Sequence, residues 1–402
     1  MAREAYVVIG SNFGDEGKGK MTNKFCMELL KRHDKVLNIR FNGGAQAGHN
    51  VSVNGKEHVF HIVGSGSLLN TPEKVVVDTY YTKHVILNSV IDNYSAFEKE
   101  GNTLGTLWAH EDCMVTTIWD MILNRDLERS RGNNRHGSCG CGIFETIKRN
   151  KEVALTLGML HSYGRDIKSL LVDIVEYYKR ACAEYGIAYD KSLVTDECIN
   201  EQMGIMLDNF KGRFILVTKD IEHKVLSCYD DYVFEGAQGL LLDQNNVEYA
   251  PHLTPSNTGV KNVIELLNDN ALALDSLQVC YVTRSFMTRH GAGRLDHEDV
   301  TGELQALNKD DTNITNEFQG SLRYGELDLK SLVGRVINDF RQCSDLSGQI
   351  NVEIALAINH LDLTKDKLVT NNGWLSIEKC GVLFDTFDKI YMGYGKNEGD
   401  YS

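Results

Sequence analysis

The chain is 402 residues long, with 42% hydrophobic and 24% charged residues and a formal net charge of −14. Those proportions exclude a mostly disordered chain and allow a sizeable core. The acidic balance excludes broad electrostatic binding to nucleic acid and leaves room only for a local basic pocket. No apolar run approaches the ~20 residues of a membrane span, and the opening MAREAYVVIG lacks a signal-peptide core. The expectation is a cytoplasmic protein with neither nucleic acid nor membrane as partner.

In chain order, Ala5–Ile9 reads as a buried strand, followed by Gly10, the glycine-rich GDEGKGK and a helix over Met21–Lys31. Further buried strands are expected at Lys35–Arg40, Lys74–Val77, Phe214–Val217, Tyr232–Phe234, Val279–Thr283 and Val352–Ile358. Val51–Val53 and His58–Ile62, joined across Asn54-Gly55, read as a hairpin. Helices are expected around Ala96 and at Ile167–Tyr185, Asp220–Leu226 and Leu329–Phe340. The alternation predicts an α/β fold: a mostly parallel central sheet flanked by helices, P-loop-like at its start, with insertions, in a single domain over 1–402. Leu307–Gln319 reads as a mobile loop. The ten cysteines show no zinc-ligand spacing and read as reduced, many of them buried.

The chemistry starts in Gly10–Lys20, GSNFGDEGKGK. Its glycines let backbone N–H groups converge on an anion at a helix N-terminus, and Lys18 can reach a phosphate oxygen. The spacing is not that of the ordinary P-loop, and Gly19 stands where a metal-binding Ser or Thr would. Asp15 is then the available metal ligand, and a carboxylate inside a phosphate cradle marks a functional group. Its neighbour Glu16 reads as a solvated loop acid. A dinucleotide fingerprint fails, because the glycines fall at 10, 14, 17 and 19. A non-catalytic nucleotide-binding switch protein is the reading from another class.

GDEGKGK, RFNGGAQAGHNVSVNG (Arg40–Gly55), FEGAQGLLLD (Phe234–Asp243) and TPSNTG (Thr254–Gly259) together resemble adenylosuccinate synthetase in order and spacing. The resemblance implies a homodimeric ligase that joins L-aspartate to C6 of a purine mononucleotide and cleaves a nucleoside triphosphate with Mg²⁺. It implies Asp15 as the base at N1 and a Mg²⁺ ligand beside the Gly48 carbonyl. His49 would be the acid at the transferring phosphoryl and Gln238 the donor to O6. Gly14, Gly17, Lys18 and Gly19 would bind the triphosphate. The mononucleotide would meet Asn12, Gln46, Ser138, Cys139 and Thr254, with Arg149 reaching across the dimer. Aspartate would meet Thr315, Ser321 and Arg323; Asn359, Asp362 and Gly395 would read the triphosphate's base.

Three departures narrow the reading. The family's arginine-rich aspartate loop is here TNITNEFQGSLRYGELD (Thr312–Asp328), with Arg323 alone. His360 replaces the lysine that packs near guanine in the family, and the chain end GYGKNEG (Gly393–Gly399) departs from the family's closing motif. These point to a divergent bacteriophage subfamily acting on dGMP, with ATP as phosphoryl donor (GTP as the alternative). In that case the compartment is the host cytoplasm. IMP with GTP is the runner-up.

Overall fold

The computed structural model describes residues 3–53, 55–210, 212–308, 317–346, 350–395 and 400–401. Nine strands of it form one sheet: β1 (Glu4–Gly10), β2 (Val36–Arg40), β3 (Val77–Tyr81), β4 (Leu107–His110), β5 (Ile215–Val217), β6 (Asp231–Gly239), β7 (Ser276–Arg284), β8 (Asn351–Asn359) and β9 (Lys389–Met392). Their spatial order is β9-β8-β7-β1-β6-β2-β3-β4-β5, and every neighbouring pair is parallel. The expected α/β class is therefore what forms.

Parallel strands need covering on both faces, and the side-chain alternation supplies two sets of apolar groups. Val8, Val233, Cys280 and Ala355 face the helix α1 (Lys18–Leu29), whose Met21, Phe25 and Leu29 are completely buried against them. Val7, Phe234, Val279 and Leu356 point to the opposite face, against Val263, Leu266, Val333 and Val336 of the helices Lys261–Asp269 and Leu329–Phe340. Burial of each large side chain contributes roughly 1.5–3 kcal/mol. That packing fixes the C-terminal ends of β1, β6, β7 and β8, from which the glycine loops emerge. A third cluster joins Tyr81 and Leu107 to Trp119, Leu171 and Tyr178 of the helices Ile118–Ser130 and Lys168–Glu184.

Most expected elements occur within a residue or two. The hairpin is His49–Val53 against Lys56–Phe60. The strand placed at Lys74–Val77 is instead Val77–Tyr81. Its Asp78 is buried, accepting from Thr106 N–H (2.7 Å) and Tyr229 Oη (2.6 Å), so a carboxylate interrupts the apolar run that signals a strand. Most of the loop expected at Leu307–Gln319 lies outside the described residues. All ten cysteines are unpaired, and no helix among the described residues is long and apolar enough to cross a membrane.

Candidate active site

The loop after β1 turns on two left-handed glycines, Gly14 (φ 94°) and Gly17 (φ 93°). Gly17 caps α1 without a side-chain hydrogen bond, so the helix presents its first N–H groups and the positive end of its dipole to whatever enters. An added Cβ at Gly17 would stand 2.5 Å from Asn359 Nδ2, and one at Gly19 would stand 2.8 Å from His49 Cβ. Neither position accepts a larger residue. A cleft of about 160 Å³ opens here, lined by Asp15, Gly17, Lys18, Gly19, Gly48, His49, Arg284, Asn359, His360 and Gly395 among others. Lys18 is buried on its wall, and burial lowers its pKa against the pull of Glu16. Its ammonium donates no hydrogen bond among the described residues, which leaves it for an anion.

Asp15 has a left-handed backbone (φ 56°), which aims its carboxylate into the cleft. The carboxylate pairs with Arg284 Nη2 at 2.8 Å and lies 3.7 Å from His290 Nε2. Arg284 also donates from Nε to the Asp15 carbonyl at 2.5 Å. Burial opposes ionisation, but Arg284 and then His290 hold the carboxyl well below its ordinary range.

His49 opens the hairpin and donates from Nδ1 to Glu235 Oε1 at 2.5 Å. Glu235 on β6 is fully buried, accepts from Ser65 N–H at 2.9 Å and from Ser65 Oγ, and lies 3.9 Å from Arg40 Nη1. Despite its burial, Arg40 and then His49 and Ser65 lower its carboxyl to about 2. With Glu235 ionised, Nδ1 carries the His49 proton and Nε2 is left to the cleft. Burial lowers His49 to about 4 against the pull of Glu235, so its imidazole is neutral in this state.

Gln238, at the end of β6, also adopts a left-handed backbone (φ 66°). Its Oε1 is 3.9 Å from where a Gly14 Cβ would stand, placing its amide beside the Asp15 loop but off the cleft wall just described. Both amide atoms of Gln46 are buried without a hydrogen-bond partner. Ser138 donates to Asn124 Oδ1 at 2.7 Å, and the turn it shares with Cys139 begins at Gly137, which packs directly on Gly291 and Ala292. Arg323 donates to the carbonyls of Gly291 (3.2 Å) and Gly293 (2.7 Å). The Ser138 turn, the Gly291–Gly293 segment and Arg323 therefore form one neighbourhood. Thr254 is tied by its N–H to Leu242 O at 2.9 Å.

The family model for adenylosuccinate synthetase matches residues 7–346. This chain belongs to the adenylosuccinate synthetase family. The adenylosuccinate synthetase of Hamiltonella defensa is 28% identical over 302 residues, 74% of this chain and 65% of that one, so the chain spans just under two thirds of that relative's length. Among solved structures, the fully ligated adenylosuccinate synthetase of Plasmodium falciparum superposes with a TM-score of 0.70 at 16% identity, covering 98% of each chain. The cyanophage S-2L succinoaminodeoxyadenylate synthetase PurZ, bound to dGMP and dATP as an energy donor, gives 0.59 at 14%, covering all of this chain and 95% of that one. At those identities the two structures speak for the fold.

Several expectations for individual residues change. Glu16 is not a solvated acid: it is 2% exposed, accepts from Asn12 N–H at 2.7 Å, leaves Oε2 without a partner, and is raised by burial to about 7. Arg149 cannot reach a partner subunit as it stands. It is fully buried, bidentate to Asp120 (2.8 and 3.0 Å) and bonded to Val115 O and Val153 O. Asn359 is engaged in holding the phosphate loop, donating to Glu16 O at 2.7 Å and accepting from Tyr401 Oη at 2.7 Å, so its amide is not available to read a base. Asn12 is likewise engaged with Thr283 Oγ1 (3.0 Å) and Arg335. Asp362 and Ser321 are exposed, and Asp362 does not line the cleft, whereas Gly395 does. Arg323 also makes a bidentate pair with Glu298 (2.7 and 2.5 Å). Thr315 lies outside the described residues.

Sequence reasoning missed Glu235, Arg40 and Arg284. Glu235 stood in plain sight inside FEGAQG, but only the tertiary pairing with His49 shows its use. Nothing local marks Arg284, which meets Asp15 from 269 residues away. For Mg²⁺, no group of three His, Cys, Asp or Glu side chains placed to hold a metal ion occurs among the described residues. The ion needs fewer: one or two carboxylates with substrate phosphates suffice. An ionised Asp15, with Gly48 lining the same cleft and able to offer its carbonyl, fits such a set.

Proposed function

We propose that this protein is a carbon–nitrogen ligase that joins L-aspartate to C6 of a 6-oxopurine mononucleotide, using the γ-phosphoryl of a nucleoside triphosphate. The observation that carries this reading is the convergence of Asp15, Lys18 and His49 on one cleft at the N-terminus of α1, with Gln238 alongside.

Oxide is too poor a leaving group for direct amination of C6. Asp15 takes the N1 proton, and the charge moves to O6, which the Gln238 amide steadies. O6 then attacks the γ-phosphorus as the bond to the β-phosphate oxygen breaks, giving a 6-phosphoryl purine and nucleoside diphosphate. The α1 N-terminus and Lys18 hold the phosphates. His49, oriented by Glu235, supports the transferring phosphoryl; entering phosphate anions favour its protonated form. The aspartate amine attacks C6, the C6–O6 bond breaks, and phosphate leaves. Asp15 and the Gly48 carbonyl would hold Mg²⁺, which would supply charge neutralisation at the phosphates. Substrate entry has to displace Arg284 from Asp15 before the carboxylate can act as base.

Within this class we take dGMP and ATP as the substrates. The stretch Thr312–Asp328 holds one arginine, itself paired to Glu298, which suits a nucleotide with fewer hydroxyls to bind. The likeness to PurZ supports the same choice. A second reading, IMP with GTP, is supported by the family model and by the curated relatives, which are adenylosuccinate synthetases. We also propose a homodimer, testable by its sedimentation mass. The deciding assay gives purified protein Mg²⁺, L-aspartate and ATP or GTP, then dGMP, GMP or IMP separately, and follows phosphate release and succinylated product. Product from dGMP with ATP supports the first choice. Product from IMP alone replaces it with the second, and phosphate release without any succinylated product removes the ligase reading.

A further inference from the structure

We propose that Tyr401 is a positioning residue for the triphosphate side of the cleft, acting through Asn359 on the phosphate loop. The inference rests on the cleft's assignment to a triphosphate and adds a residue to it.

The Tyr401 hydroxyl donates to Asn359 Oδ1 at 2.7 Å. The same amide donates from Nδ2 to the Glu16 carbonyl at 2.7 Å. Asn359 is 4% exposed at the end of β8, so water cannot readily replace either bond. The two bonds act together. A hydroxyl donor on one side fixes which amide atom is oxygen, and so aims the NH₂ at the loop. The carbonyl it holds belongs to the peptide just before Gly17, the left-handed residue that caps α1. Asn359 Nδ2 is also the atom a Gly17 Cβ would strike, so this amide is the floor of the turn. Lys18 and the first open N–H groups of α1 follow immediately.

Tyr401 meets the cleft by a second route. Its ring lies 4.3 Å from Lys20 Nζ, which donates to Gly395 O at 3.0 Å. Lys20 and Gly395 both line the cleft. The ring is held by a backbone bridge from Tyr401 to Gly393 and by Tyr394 N–H donating to Asp400 O at 2.7 Å. Burial pushes the Tyr401 phenol far above its usual range, so it remains a donor at any working pH. Removing only the hydroxyl keeps the ring packing and deletes the bond that orients Asn359.

The test compares wild type, Tyr401→Phe, Asn359→Ala and the double variant by calorimetric binding of Mg·ATP, Mg·GTP and dGMP, with melting temperatures alongside. Tyr401→Phe is expected to weaken the preferred triphosphate by about 5–20-fold, the range for one orienting hydrogen bond lost in a buried site. It should leave dGMP binding within about twofold and the melting temperature nearly unchanged. In turnover, KM for the triphosphate should rise by the same factor with kcat unaltered. The double variant should be no weaker than Asn359→Ala, because both act through one amide. Triphosphate binding unchanged in Tyr401→Phe, or dGMP weakened by the same factor as the triphosphate, would overturn the proposal. Wild-type protein that binds no triphosphate would remove the cleft assignment and this proposal with it, an outcome visible without any variant.

Discussion

On the proposed triphosphate side, Asn359 is bonded at both ends of its amide, His49 is seated on Glu235, and Glu235 is surrounded by Ser65 and Arg40. On the proposed mononucleotide and aspartate side, Gln46 has neither amide atom satisfied, and Arg323 is closed on Glu298. The first region is built before any ligand arrives, at the price of burying charge. The second keeps its recognition groups orphaned or paired with each other, and they must re-pair when substrate enters. Asp15, locked to Arg284, stands at the boundary and belongs to both.

The comparison is broken most severely at that boundary. Asp15→Asn keeps size and loses the base, so turnover should fall about 10³-fold while the mononucleotide still binds; single-turnover product formation beside equilibrium binding of dGMP checks both halves. On the built side, Glu235→Gln removes the counter-charge of buried Arg40 and should lower stability by about 3 kcal/mol in denaturant unfolding. Gln46→Leu, on the unpaired side, should behave oppositely. It removes two buried orphan atoms, so stability should hold or rise by about 1 kcal/mol, while mononucleotide binding weakens.

The smallest effect depends on pH. Glu145 is buried near the Ser138 turn, has Oε2 without a partner, and is raised by burial to about 7. Its folded pKa lies above the unfolded value, so folding carries no ionisation penalty below about pH 4.5; the penalty grows towards pH 7 and is complete above it. Glu145→Gln should therefore raise the melting temperature at pH 8 and change it little at pH 4. An equal gain at both values would place the effect in packing rather than ionisation.

How much of this was legible follows the same division. Strands with clear apolar runs, such as Ala5–Ile9 in Glu4–Gly10 and Ile354–Ile358 in Asn351–Asn359, showed themselves. Leu107–His110 and Lys389–Met392 are four residues each, too short for a period to register. The helix Ile118–Ser130 announces itself only through its capping box, Thr117 with Asp120. That Asp15, Lys18 and His49 meet on one cleft was readable because unusual residue types sit among glycines. Arg149, expected from the resemblance to reach across a dimer, is here bonded to Asp120, a pairing across 29 residues that no local pattern shows. Glu235, Arg284 and Tyr401 do their work across long stretches of chain, and no local pattern carries that information.

The central claim is that O6 becomes a nucleophile and departs as phosphate. Its most direct test supplies dGMP labelled with ¹⁸O at O6, with unlabelled ATP, Mg²⁺ and L-aspartate, and weighs the released phosphate by mass spectrometry. The account predicts one ¹⁸O atom in the phosphate for each succinylated purine formed. Succinylated product accompanied by wholly unlabelled phosphate would contradict it.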